Sequence, residues 1–92
     1  MEEYYLYGSE GCHLCEQALV LCQLVIPNEQ LKQIDIVDQE TVPHESKNLV
    51  ELYGVHIPVI EKLNPDSPEE NHKLFWPFTL EQLTQLTQHP LT

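Results

Sequence analysis

The chain contains no arginine, and its whole cationic complement is Lys32, Lys47, Lys62 and Lys73. Against 15 acidic residues this leaves a formal net charge of −11 over 92 residues. Nucleic-acid binding rests on a basic footprint, so that class is not expected. Anionic membrane surfaces are poor partners for the same reason. No apolar run approaches the roughly 18 residues of a membrane span. The acidic start Met1-Glu2-Glu3 leads straight into a strand pattern, unlike a secretory signal. Cysteine is scarce and odd in number, three in all, which argues against a secreted disulfide scaffold. A reducing cytoplasm is the expected location. No internal repeat or low-complexity stretch interrupts the chain. What remains is 41% hydrophobic, the composition of a folded globule. The length allows one domain, residues 1–92.

The informative stretch is Tyr4-Tyr5-Leu6-Tyr7-Gly8-Ser9-Glu10-Gly11-Cys12-His13-Leu14-Cys15. It reads as a short strand over residues 4–7, a glycine-flanked turn, and a helix opening on a Cys-x-x-Cys pair. The first turn of a helix has unpaired backbone N–H groups and the positive end of the helix dipole. A thiolate there is stabilised, and the thiolate is the nucleophile of disulfide exchange. Cys12 and Cys15, three apart on a helix, share a face and lie within bonding reach. Cys12 can attack a disulfide and Cys15 can resolve the mixed intermediate.

The helix continues with Cys15, Ala18, Leu19, Cys22, Val25 and Ile26 at helical spacing, widened by Leu14 and Leu21. Cys15 and the core-facing residues behind it should be shielded, with Cys12 exposed at the turn. Pro27 ends the helix. Residues 31–37 alternate around Ile34 and Ile36 as a second strand. Pro43 suits the first turn of a second helix, whose apolar side is Leu49, Val50, Leu52 and Tyr53 and whose stop is Gly54. Val55-His56-Ile57-Pro58-Val59-Ile60 gives a loop and a third strand. Asn64-Pro65-Asp66-Ser67-Pro68 is a turn cluster, and residues 73–76 form a fourth strand hairpinned to the third. Thr79 and Gln82 make a capping box for a last helix. Its inner face is Leu80, Leu83 and Leu86, and it ends at His89-Pro90. The order is βαβ–α–ββ–α, an α/β fold with a four-stranded mixed sheet flanked by three helices.

This pattern resembles the thioredoxin fold, and within it a small glutaredoxin-like protein. The likeness is carried by the strand–turn–Cys12-His13-Leu14-Cys15 unit, by Tyr53-Gly54-Val55-His56-Ile57-Pro58-Val59, and by the length. It implies a thiol–disulfide oxidoreductase with Cys12 as nucleophile and Cys15 as resolving thiol. It implies a cis Pro58 facing the pair, with Ile57 offering backbone hydrogen bonds to substrate. No cofactor is implied beyond an external thiol reductant such as glutathione. The partner class is a disulfide-containing protein or peptide, met by a monomer. The departures are specific. Ser9 stands where glutaredoxins commonly have Lys. His13 and Leu14 replace their usual Pro and aromatic residue. Trp76-Pro77-Phe78-Thr79 has no Gly-Gly pair. With the acidic field, these departures predict weak handling of glutathione and better turnover of disulfides flanked by Lys or Arg. Thr79 and the N–H groups of the last helix remain a candidate anchor for a glutathione carboxylate.

Other readings of the same residues stand beside this one. A zinc knuckle needs about four ligands, yet there is no second Cys pair, and His44, His56, His72 and His89 are scattered. Cys22 lies about 10.5 Å along the helix from Cys15, beyond the roughly 7 Å reach of a disulfide, and reads as a small core residue. His13 either supports the Cys12 thiolate or points to solvent. His56 reads as a loop residue and Trp76 as packing. Glu69-Glu70 reads as solvated surface. A binding module that keeps the fold and engages a basic partner through its acidic surface is the alternative function.

Overall fold

The computed structural model describes residues 2–64, 66 and 71–88. Strand β1 is Glu3–Gly8, helix α1 His13–Val25, strand β2 Leu31–Asp35 and helix α2 Leu49–Tyr53. Strand β3 is Val59–Leu63, strand β4 His72–Phe75 and helix α3 Leu80–Gln88. The sheet order is β2-β1-β3-β4. Strand β1 runs parallel to β2, with Tyr7 opposite Ile34, and antiparallel to β3, with Tyr7 opposite Val59. Strands β3 and β4 are antiparallel. This is the mixed α/β sheet with three helices that the sequence pattern predicts. Among the described residues no helix is long and apolar enough to cross a membrane.

Strand β1 is central, so its alternation feeds two cores. Tyr4 and Leu6 join Ala18, Cys22, Ile26, Ile60, Phe78, Leu83 and Leu86 beneath α1 and α3. Tyr7 joins Ile34, Ile36, Val42, Leu49, Tyr53 and Val59 beneath α2. Two adjacent charged residues of β3 follow the same alternation. Glu61 is 1% exposed and Lys62 is 0% exposed. The Glu61 carboxylate accepts from the Tyr7 hydroxyl at 2.5 Å and from Asn71 Nδ2 at 3.1 Å, and lies 3.0 Å from His44 Nε2. Lys62 Nζ donates to the Leu86 and Thr87 carbonyls at 3.1 and 3.3 Å, a cation at the negative end of α3. It also meets Glu2 at 3.7 Å.

Several boundaries depart from expectation for visible reasons. Strand β2 stops at Asp35, whose Oδ1 accepts from the Val37 and Asp38 N–H groups and turns the chain. Pro43 does not open α2. Asn48 does, its Oδ1 accepting from Val50 N–H at 2.8 Å. The preceding loop is pinned elsewhere: Glu45 meets the Tyr53 hydroxyl and Lys73 Nζ, each at 3.1 Å. Leu80, 42% exposed, does not belong to the inner face of α3, and Leu14, 46% exposed, does not widen that of α1. Strand β4 ends at Phe75, and Trp76 packs edge-on against Phe78. Pro65, Ser67 and Pro68 of the turn cluster, the Glu69-Glu70 pair and His89-Pro90 lie outside the described residues.

Candidate active site

The turn between β1 and α1 sets the site. Gly11 has φ +77°, a left-handed conformation that glycine adopts without steric cost, and it delivers the chain into the helix. Cys12 is then the N-cap of α1, extended at φ −92°, ψ 105°. Its Sγ accepts a hydrogen bond from Cys15 N–H at 3.1 Å, where a capping hydroxyl or carboxylate usually acts. The Glu16 N–H donates to the Cys12 carbonyl at 3.2 Å. Cys12 and Cys15 are disulfide-bonded, with Cα atoms 5.2 Å apart. Both are half-buried, so the expected contrast of an exposed Cys12 and a shielded Cys15 is not marked in this oxidised state.

Gly8 is the missed residue of the site. A Cβ there would stand 3.0 Å from Cys15 Sγ, so the strand end must be bare for the disulfide to sit over it. The β1–β3 register, continued one step past Tyr7 and Val59, sets Pro58 beside Gly8. The signal was present in the sequence as a glycine ending the aromatic strand. The Ile57–Pro58 bond is cis, as predicted, and Trp76–Pro77 is a second cis bond that was not anticipated. Ile57 N–H donates to the Tyr53 carbonyl at 3.0 Å, so that donor is already taken within the fold.

The other candidates are placed as follows. His13 projects outward, its ring 91% exposed, and meets Glu16 at 3.6 Å. Thr79 is committed to its capping box: its N–H donates to Gln82 Oε1 at 2.8 Å, and its Oγ1 accepts from Gln82 N–H at 3.1 Å. Cys22 is fully buried on α1, and burial pushes its thiol up to about 12. His56 packs edge-on against Phe75, 5.3 Å between centroids. Sequence reasoning did not find the Glu61 cluster, whose partners Tyr7, His44 and Asn71 come from three separate segments. Burial, then the bond to Glu61, raises the Tyr7 phenol well above its ordinary value.

A family model described as Glutaredoxin-like domain (DUF836) matches residues 3–87. Among solved structures, the chain is similar to the structural-genomics target protein XcR50 from X. campestris, at 26% identity and a TM-score of 0.66. That match covers 95% of this chain and 99% of the other. No curated protein matches the chain. The family match runs through the whole sheet and the Cys12–Cys15 turn, and the chain belongs to the glutaredoxin-like (DUF836) family.

Proposed function

We propose that the protein is a thiol–disulfide oxidoreductase that reduces protein or peptide disulfides through Cys12 and Cys15. The observation that carries this reading is the Cys15 N–H aimed at Cys12 Sγ from the first turn of α1. In the reduced protein the same N–H favours the Cys12 thiolate. The thiolate attacks one sulfur of the substrate disulfide and displaces the other as a thiolate, which takes a proton from solvent. The Cys15 thiolate then attacks Cys12 Sγ. This closes the Cys12–Cys15 disulfide and frees the second substrate thiol. Two electrons pass from the dithiol to the substrate, and an external thiol reductant restores the dithiol. The backbone at Ile57 and Pro58 shapes one side of the groove, and a reducing compartment suits the cycle.

Glutathione is a weak substrate in this reading. Ser9 supplies no cation, and the Thr79 N–H is taken by Gln82. The test is a pair of variants. Cys12→Ser should lower disulfide reductase turnover by at least ~100-fold, since it removes the nucleophile. Cys15→Ser should accumulate a mixed disulfide on Cys12. If Cys12 in the reduced protein alkylates no faster than an ordinary thiol and neither effect appears, the chain is a binding module that keeps the fold.

A further inference from the structure

A cavity of about 350 Å³ opens between the start of α1 and the edge strand β2, and Gly8 and both cysteines form part of its wall. Leu6 and Leu19 give it an apolar lining, and Glu10, Glu16 and Asp35 line it with carboxylates. No lysine lines it. Lys62 is engaged with Glu2 and the end of α3, Lys73 with Glu45, and Lys32 lies 5.8 Å from the Tyr5 ring centroid.

We propose that this cavity receives the side chain of a lysine or arginine adjacent to the substrate's disulfide, making Glu10, Glu16 and Asp35 specificity determinants. The proposal rests on the redox reading of Cys12 and Cys15. Lysine and arginine carry a long apolar stem and a charged head, which matches apolar walls beside carboxylates. Glu10 and Glu16 are exposed and keep their hydration, so they attract a cation without the penalty of a buried pair. Because the cysteines are themselves wall residues, an occupant of the cavity brings its neighbouring bond to the sulfurs. A basic side chain therefore enters from the β2 side.

Two measurements on the full chain test this. In the first, cysteine-free peptides centred on lysine, on glutamate or on a neutral residue are added to the oxidised protein, and backbone amide shifts are mapped. The lysine peptide should shift residues 8–16 and 33–35. The triple variant Glu10→Gln, Glu16→Gln, Asp35→Asn should weaken it by about fivefold or more, the scale of one exposed ion pair of about 1 kcal/mol. Asp35→Asn keeps the oxygen that accepts from Val37 and Asp38. A control triple, Glu40→Gln, Glu51→Gln, Glu81→Gln, removes the same charge elsewhere and should change affinity less than twofold. Equal weakening by both triples, or shifts centred on residues 55–58, overturns the proposal.

In the second, kcat/KM is measured for basic, neutral and acidic peptide disulfides. The basic-to-acidic ratio should exceed one in the wild type, fall in the cavity variant and persist in the control. If the wild type reduces the neutral peptide but shows no basic preference, or one that survives the cavity variant, the cavity proposal alone fails. If it reduces none of the three, the redox reading fails and takes the proposal with it.

Discussion

Two groups of carboxylates sit on this small sheet and are treated in opposite ways. Glu61 is removed from water, and its oxygens are met by Tyr7, His44 and Asn71. Around the disulfide cavity, Glu10 and Glu16 stand in solvent, and Asp35 spends one oxygen on turning the chain. A buried carboxylate is tolerated only when its acceptor sites are filled, so Glu61 is occupied by the fold itself. The carboxylates at the cavity keep their field for whatever arrives. Acidity alone does not distinguish the two groups; the degree of satisfaction does.

The sharpest way to break the comparison is Glu61→Ala. It strips one buried and two half-buried polar groups of their partner and should cost about 3 kcal/mol in urea denaturation of the oxidised protein. A loss under about 1 kcal/mol would mean that the cluster is peripheral to stability.

Cys22 extends the comparison to a buried group kept uncharged. Burial holds its thiol up to about 12, above the value in the unfolded chain. The unfolded state therefore loses its proton first. This contribution is complete below about pH 9 and declines toward pH 12, by about 1.4 kcal/mol per pH unit. Stability of oxidised wild type and Cys22→Ala measured from pH 8 to 10 should show a shallower decline in the variant. Parallel slopes would contradict the assignment. Tyr53, also held up to about 12 by burial, adds to the decline in both proteins only above about pH 10.

Lys62→Met keeps the apolar stem but removes the donor to the Leu86 and Thr87 carbonyls. It should cost about 1–1.5 kcal/mol and speed amide exchange in the last turn of α3. The smallest effect belongs to the open carboxylates. Glu10→Gln and Glu16→Gln should each change stability by less than about 0.5 kcal/mol, since their partners are mostly water.

The elements that follow from local chemistry were legible in the sequence. The Cys12 turn, the Thr79–Gln82 box and the stop before Pro27 each depend on residues within a few positions of one another. The second helix was legible over Leu49–Tyr53 and at its stop, Gly54, but not at its start, because Pro43 offered a local alternative while the loop it sits in is pinned by distant groups, Glu45 to Lys73 and His44 to Glu61. Leu14 and Leu80 fit the helical period yet face solvent, since each lies in the first turn of its helix, where less of the core lies beneath it. At the candidate site the nucleophile pair could be read directly. The role of Gly8 and the cavity bounded by β2 needed the packing of α1 over the sheet, which no spacing rule supplies.

The neighbouring pair Glu61 and Lys62 also acts as an address for strand β3. A slide of one residue in either direction along β1 would exchange their faces. The carboxylate would then enter the apolar layer under α1 and α3, and the ammonium would meet Tyr7 and Asn71, which are arranged to donate rather than accept. Hydrophobic neighbours such as Val59 and Ile60 are nearly interchangeable and tolerate such a slip poorly but not prohibitively. Two opposite charges with dedicated receptors on opposite faces do not tolerate it, so misaligned sheets are disfavoured.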